Sequence, residues 1–342
     1  MKSSALVLRP GRRGLSARLP YRLVLTCLAA MALAAAAFAL TVAAGSGDYA
    51  APISALWGVG EPADLFVVQE VRLPRAVAGL LAGAAFGLSG AIFQTATRNP
   101  LASPDMLGIT QGAGTAVAAG VVFGAGLATQ FLGLAGALVA GLLIYLLAWD
   151  RGTTGYRVVL VGIGVSWMCV SATAYLVSRA EQYQAARVLG WLVGSLNERT
   201  WSHAWPPGLA LAVLLPVVLL LARTQRALHL GDDIALGLGV RVQRARLGLL
   251  LCGSALAAFA TAAAGPVLFV SLAAPLIARR LAGSAAPPLT ASAAVGAAVV
   301  LAGDLISQRL LEDSVLPVGV VTGVLGAPFL LWRLGSSRTS GR

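Results

Sequence analysis

Apolar residues run along this chain in long unbroken stretches, separated by short clusters of arginine, glycine and proline, without two-residue alternation. Runs such as Leu28 to Leu40 suit a helix, which satisfies its own backbone in lipid, and not the strands of an outer-membrane barrel. Charge-free stretches place the helices at 23–44, 76–97, 106–149, 158–178, 204–222, 247–278, 281–303 and 314–332. A crossing takes about 20 residues, so two stretches are too long for one. The 106–149 run is expected to turn near Gly124 to Gly133, and the 247–278 run to break at Gly265-Pro266, a pair that ends a helix. The pattern predicts an all-α polytopic membrane protein with ten transmembrane helices.

Composition narrows the class. The 342 residues are 58% apolar and 11% charged with 40 Gly, which excludes a disordered chain, a disulfide scaffold and an ordinary soluble domain. The net charge of +12 would indicate nucleic acid in a soluble protein; in a membrane chain basic residues mark cytoplasmic loops, and no nucleic-acid partner is expected. Residues 1–22 form a basic leader (Lys2, Arg9, Arg12, Arg13, Arg18, Arg22). The apolar run after it exceeds the roughly 7–15 residues of a signal core, so it is read as a retained span. With the leader inside, ten crossings over 23–334 put the 335–342 tail inside as well. Nineteen of the 25 basic residues then fall on the cytoplasmic side, which favours this orientation over its inverse.

Candidate chemistry is sparse. Lys2 is the only lysine, so no phosphate-binding P-loop can exist and ATP is not hydrolysed here by that route. Cys27, Cys169 and Cys252 lie far apart, and His203 and His229 are the only histidines, so no metal-ligand spacing appears. A membrane enzyme would need a polar cluster at one depth. An ion-gradient-driven secondary transporter, the main rival reading, would be expected to carry paired acids inside its spans. The cytoplasmic loop 223–246 is longer than a plain connector and holds two helix-competent pieces around glycine turns. Asp232 and Asp233 stand there where a helix amino terminus favours negative charge. This points to a docking surface, the alternative being a floppy basic loop. Segments 72–178 and 245–334 share a weak run of small residues leading to proline, a hint of an inverted repeat of helices 2–5 and 7–10.

The polar interruption Arg98-Asn99-Pro100-Leu101-Ala102, with Pro104-Asp105, Leu107-Gly108 and Gln111 to Gly114, is irregular backbone tolerated only beside protein or a water-filled cavity. The whole run from Arg72 to Gly114 resembles the signature of the FecCD family of ABC importer permeases, which carry ferric siderophores, haem and cobalamin inward. Further matches follow in the family's order: Trp191 with Gly194-Ser195-Leu196, Gly231-Asp232-Asp233 with Leu238-Gly239-Val240, Ala264-Gly265-Pro266, Leu316-Pro317-Val318-Gly319, and Gly326-Ala327-Pro328. The likeness covers about residues 20–334. It is greatest to the subunit serving enterobactin uptake, one of two different permeases in its transporter.

That resemblance implies a multi-pass half-transporter of the bacterial inner membrane. Its partners would be a second permease of the same family (a heterodimer favoured, a homodimer possible), two cytoplasmic ATPases holding ATP and Mg, and an extracytoplasmic binding protein. The cargo would be a ferric siderophore, with haem or cobalamin as alternatives. No directly bound cofactor is implied. Carried over by position, Arg72 and Arg75 match outer arginines that receive acidic side chains of the binding protein, with interfacial snorkelling as the plain alternative. The family's third docking arginine falls at Gln308, and Arg309 stands one position late. Asp232, Asp233, Ala235, Leu238 and Gly239 match coupling positions that seat in the ATPase. Thr154, Gly155 and Tyr156 match the cytoplasmic gate, Tyr156 being bulkier than some relatives' residue there and equally readable as an interface anchor. Leu276 stands where the family usually has histidine. Asp304 matches a family acid, either a proton relay or, more in keeping with an isolated carboxylate, a paired group near the outer end of its helix.

Overall fold

The computed structural model describes residues 5–8, 17–43, 54–55, 57–149, 154–309 and 316–338. Of the leader, Lys2, Arg9, Arg12 and Arg13 lie outside the described residues. Apart from a short antiparallel pairing of Ala5–Leu8 with Ala17–Pro20, the described elements are helical. They are α1 (Tyr21–Ala43), α2 (Pro62–Ala96), α3 (Ile109–Val122), α4 (Thr129–Ala148), α5 (Gly155–Arg179), α6 (Gln182–Leu192), α7 (Trp201–Leu220), α8 (Ala222–Leu230), α9 (Asp232–Gly237), α10 (Val242–Ala264), α11 (Val270–Ala282), α12 (Leu289–Arg309) and α13 (Val318–Arg338).

Seven of these, α1, α2, α4, α5, α7, α10 and α12, are long and apolar enough to cross a membrane. Two of the remaining expected spans fall on shorter helices, α3 with 14 residues and α11 with 13, while the last falls on α13, which runs 21 residues from Val318 to Arg338. At 1.5 Å per residue α3 covers only about 21 Å of a core of about 30 Å. The length is lost to irregular polar backbone, at 97–108 before α3 and at 265–269 before α11. The breaks themselves fall as the punctuation predicts. The 106–149 run turns between Val122 and Thr129, where Gly124 and Gly126 take φ of 67° and 68°. α10 stops at Ala264, and Gly265 (φ 74°) with Pro266 leads the chain away.

Two elements differ from expectation. α2 starts at Pro62, well before residue 76, and passes through a π-helical stretch, Val67–Arg72, before its regular part from Leu73. Arg72 and Arg75 therefore ride on a helix and not on a loop. α6 lies between two expected spans, where the sequence pattern assigns no helix; Gln184 Oε1 accepts the Glu181 amide at 3.3 Å in a capping box at its start.

α2 is the axis of the bundle, 78% of its apolar window being buried, with α10, α11 and α12 against it. Small residues permit this contact. A Cβ on Gly83 would lie 2.6 Å from the Gly296 carbonyl oxygen, one on Gly87 would fall on the Ser292 carbonyl, and one on Gly90 on the Ser271 carbonyl. Ser89 Oγ donates to the Gly253 carbonyl at 2.7 Å, joining α2 to α10.

Candidate functional site

Polar groups gather at the two ends of this bundle. At the end bearing the carboxyl terminus of α2, α8 stops at Leu230 and Gly231 takes φ 121°, ψ 156°, open to glycine alone among common residues. The chain reverses there and α9 begins with Asp232 and Asp233 in its first turn. Asp232 accepts from Arg246 Nη2 at 2.7 and 2.9 Å and lies 3.8 Å from Arg98 Nη2. Ala235 is fully buried. Asp233 and Gly239 point outward, as do Ile234, Leu236 and Leu238, the last 63% exposed. The five expected coupling residues thus divide: Asp232 and Ala235 hold the α8–α9 hairpin onto the bundle, while Asp233, Leu238 and Gly239 form an outward face. Ile234 and Leu236 join that face. Their signal in the sequence was two apolar residues on a short helix outside the spans, a pattern that marks contact with a partner.

Beside this hairpin lies the turn before α5. Thr154 caps the helix, its Oγ1 accepting the Arg157 amide at 3.4 Å. Gly155 presses on the end of α2, where a Cβ would meet the Thr97 carbonyl oxygen at 2.6 Å and its Cα at 2.7 Å. Tyr156 is 78% exposed. The 97–108 loop is tied down by its own polar groups: Asn99 Oδ1 accepts the Leu101 amide at 2.9 Å, and Asp105 accepts from Ser271 Oγ at 2.6 Å and Thr110 Oγ1 at 3.0 Å.

At the other end, Arg75 forks onto Asp304, with Nη2 2.8 Å from Oδ1 and Nε 3.0 Å from Oδ2, and Gln308 Nε2 donates to the same carboxylate at 2.8 Å. Asp304 is fully buried and Arg75 largely so. The acid of α12 is therefore paired, as an isolated carboxylate in an apolar helix requires. Arg72 Nη1 donates to the Val42 carbonyl at 3.1 Å, and Arg309 is exposed at the end of α12. Of the three expected docking arginines, Arg75 is committed inside the bundle. Below them three chain breaks meet: the Ser195 amide donates to the Ala264 carbonyl at 2.9 Å and the Gly319 amide to the Gly194 carbonyl at 3.1 Å.

Among the described residues no group of three or more His, Cys, Asp or Glu could hold a metal ion. Helices fit to cross a membrane, interrupted by tightly bonded polar segments and carrying an apolar and acidic face at one end, define a multi-pass membrane transport protein. The chain belongs to the FecCD transport family, whose model matches residues 20–335. It is 42% identical over 314 residues to the ferric enterobactin transport system permease protein FepG of Escherichia coli K12, covering 91% of this chain and 95% of that one. To the achromobactin transport system permease protein CbrC of Dickeya dadantii it is 40% identical, over 84% and 83% of the two chains. Among solved structures, an inward-facing metal-chelate type ABC transporter superposes with a TM-score of 0.78 at 23% identity, covering 89% of this chain and 96% of that one.

Proposed function

We propose that this chain is the transmembrane permease subunit of an ATP-binding-cassette importer that carries a ferric siderophore across the bacterial inner membrane. Two cytoplasmic partner subunits, holding ATP and Mg, supply the energy, and a second FecCD-type permease completes the path. The observation that carries this reading is the 42% identity, sustained over nine-tenths of the chain, to a ferric enterobactin permease. All ten expected spans cross in this reading, α3 and α11 being completed by the irregular backbone beside them. Helices 2–5 and 7–10 form its inverted halves, and both termini are cytoplasmic. A heterodimer is favoured by the likeness to a permease that works with a different partner permease.

In this reading the outward face of α9 seats in an ATPase subunit, the turn at Thr154, Gly155 and Tyr156 is the cytoplasmic gate, and Arg72 with Arg309 receives carboxylates of the binding protein. The direct test is uptake of radiolabelled ferric enterobactin by cells lacking their own permease and given this chain with its neighbouring transporter genes. Restored, energy-dependent uptake is expected; accumulation by the purified chain alone in liposomes, without nucleotide, would instead establish an ion-driven carrier.

Two substitutions test the two ends. Leu238→Glu is expected to reduce co-purification of the ATPase by about five- to thirtyfold, because a charge replaces an apolar contact worth about 1–2 kcal/mol at such an interface. Retained co-purification would remove the α9 assignment. Arg72→Glu is expected to weaken binding-protein affinity by about fivefold at low salt and less at physiological ionic strength, since exposed pairs contribute about 0–1 kcal/mol and are screened over about 8 Å. A titration showing equal affinity at both salt concentrations would assign Arg72 to the lipid interface.

A further inference from the structure

Among the described residues the largest fully buried side chain is an arginine, Arg246, and the docking surface alone does not account for it. A buried guanidinium persists only where its donors are matched. Its Nη2 holds both carboxylate oxygens of Asp232, the first residue of α9, at 2.7 and 2.9 Å. Its Nε donates to the Ala96 carbonyl, the last of α2, at 3.3 Å. That carbonyl is one of those a helix leaves without an internal partner at its end, so the guanidinium caps α2 while gripping α9.

One residue further on, Thr97 is the backbone against which Gly155 lies, with no room for a Cβ. The contacts run without a gap from the outward face of α9 through Asp232, Arg246 and the end of α2 to the first turn of α5 and Tyr156. Arg98, from the same loop, reinforces the carboxylate at 3.8 Å. We propose that Arg246 is the positioning residue that transmits displacement of α9 to the α2–α5 contact, so that nucleotide-driven movement of the docked ATPase reaches the cytoplasmic end of the path. This rests on the reading of α9 as the ATPase-docking element and of the Tyr156 turn as the gate. Arginine suits the task because its planar fork fixes two partners in one orientation, whereas lysine offers a point charge.

Coupling of this kind is established by breaking the link and not by proximity. Arg246→Met removes these bonds yet leaves Asp232 partly exposed and beside Arg98, so no buried charge is stranded. The assay uses the complete transporter with the three cysteines of this chain replaced by alanine and Tyr156→Cys introduced, its labelling measured on this chain after separation from the other subunits. Maleimide labelling of residue 156 is followed without nucleotide and with trapped ATP. In the parent the labelling rate is expected to change at least fivefold on trapping. With Arg246→Met the ATPase is expected to co-purify at the parent ratio while the labelling rate changes less than twofold, and Arg246→Lys is expected to fall between.

The inference is overturned if Arg246→Met keeps the full nucleotide response, or if labelling in the parent ignores nucleotide. It is also overturned if the substitution releases the ATPase, since Arg246 would then only shape the docking face. Failure of the underlying reading is seen separately: Leu238→Glu, on the outward face and outside this linkage, would leave ATPase association intact.

Discussion

Gly90→Ala is expected to destabilise the purified protein by at least about 3 kcal/mol and to cut the amount of folded chain in the membrane several-fold. A single methyl group does this because of where it points. The added Cβ would fall on the Ser271 carbonyl oxygen and lie 3.1 Å from Pro275 Cγ. Overpacking a well-fitted core costs about 1–3 kcal/mol and more where no side chain can turn aside. A backbone carbonyl cannot turn aside, so α11 must shift as a body. Ser271 also donates to Asp105, so the shift would pull on the 97–108 loop as well. The comparison is Gly164→Ala, on α5, where a Cβ meets nothing within 4 Å and alanine is the better helix former. Thermal unfolding in detergent should separate the two substitutions clearly. Equal melting temperatures would show that α2 and α11 do not approach as closely as described.

A second large effect is expected at the opposite end. Arg75→Ala should cost about 3–5 kcal/mol, because it leaves the fully buried Asp304 carboxylate without a countercharge, Gln308 alone remaining. Replacing both members, Arg75→Met with Asp304→Leu, should restore most of the loss, since an apolar pair of similar volume needs no compensation in that setting. A double-mutant cycle on thermal stability checks this, and additive losses would mean that the two residues act separately. The result bears on how docking is tested. Loss of uptake in an Arg75→Glu variant would report two carboxylates forced together inside the bundle, whereas Arg72→Glu leaves that pair intact and isolates the surface effect.

The architecture was legible where it depends on single residues with strong local consequences. Gly265-Pro266 ended a helix, Gly231 reversed the chain, and the two aspartates after it opened α9 as charge at a helix amino terminus should. The resemblance carried the family. It could not carry direction. Asp232 and Asp233 are adjacent in sequence, yet one is drawn inward by Arg246 and the other faces outward, and nothing in the motif distinguishes them. Arg72 and Arg75 divide in the same way, because the partner of Arg75 lies 229 residues further along. The π-helical stretch in α2 has no sequence signal that we can name, and α6 is too short for its periodicity to stand out against the flanking spans.

Alanine and glycine fill about half of the buried positions of α2, α10 and α12, side chains with no rotamers to freeze. Drawing these helices together therefore loses less side-chain freedom than a core of long residues, for which the loss reaches about 1.5–2 kcal/mol apiece. The same choice removes the usual means of adjustment. A core of leucines can respond to strain by re-seating individual side chains, while one of bare backbones has only rigid translation left to it. Movements among these helices are expected to occur as the sliding of whole rods, with deformation confined to the unwound segments at their ends.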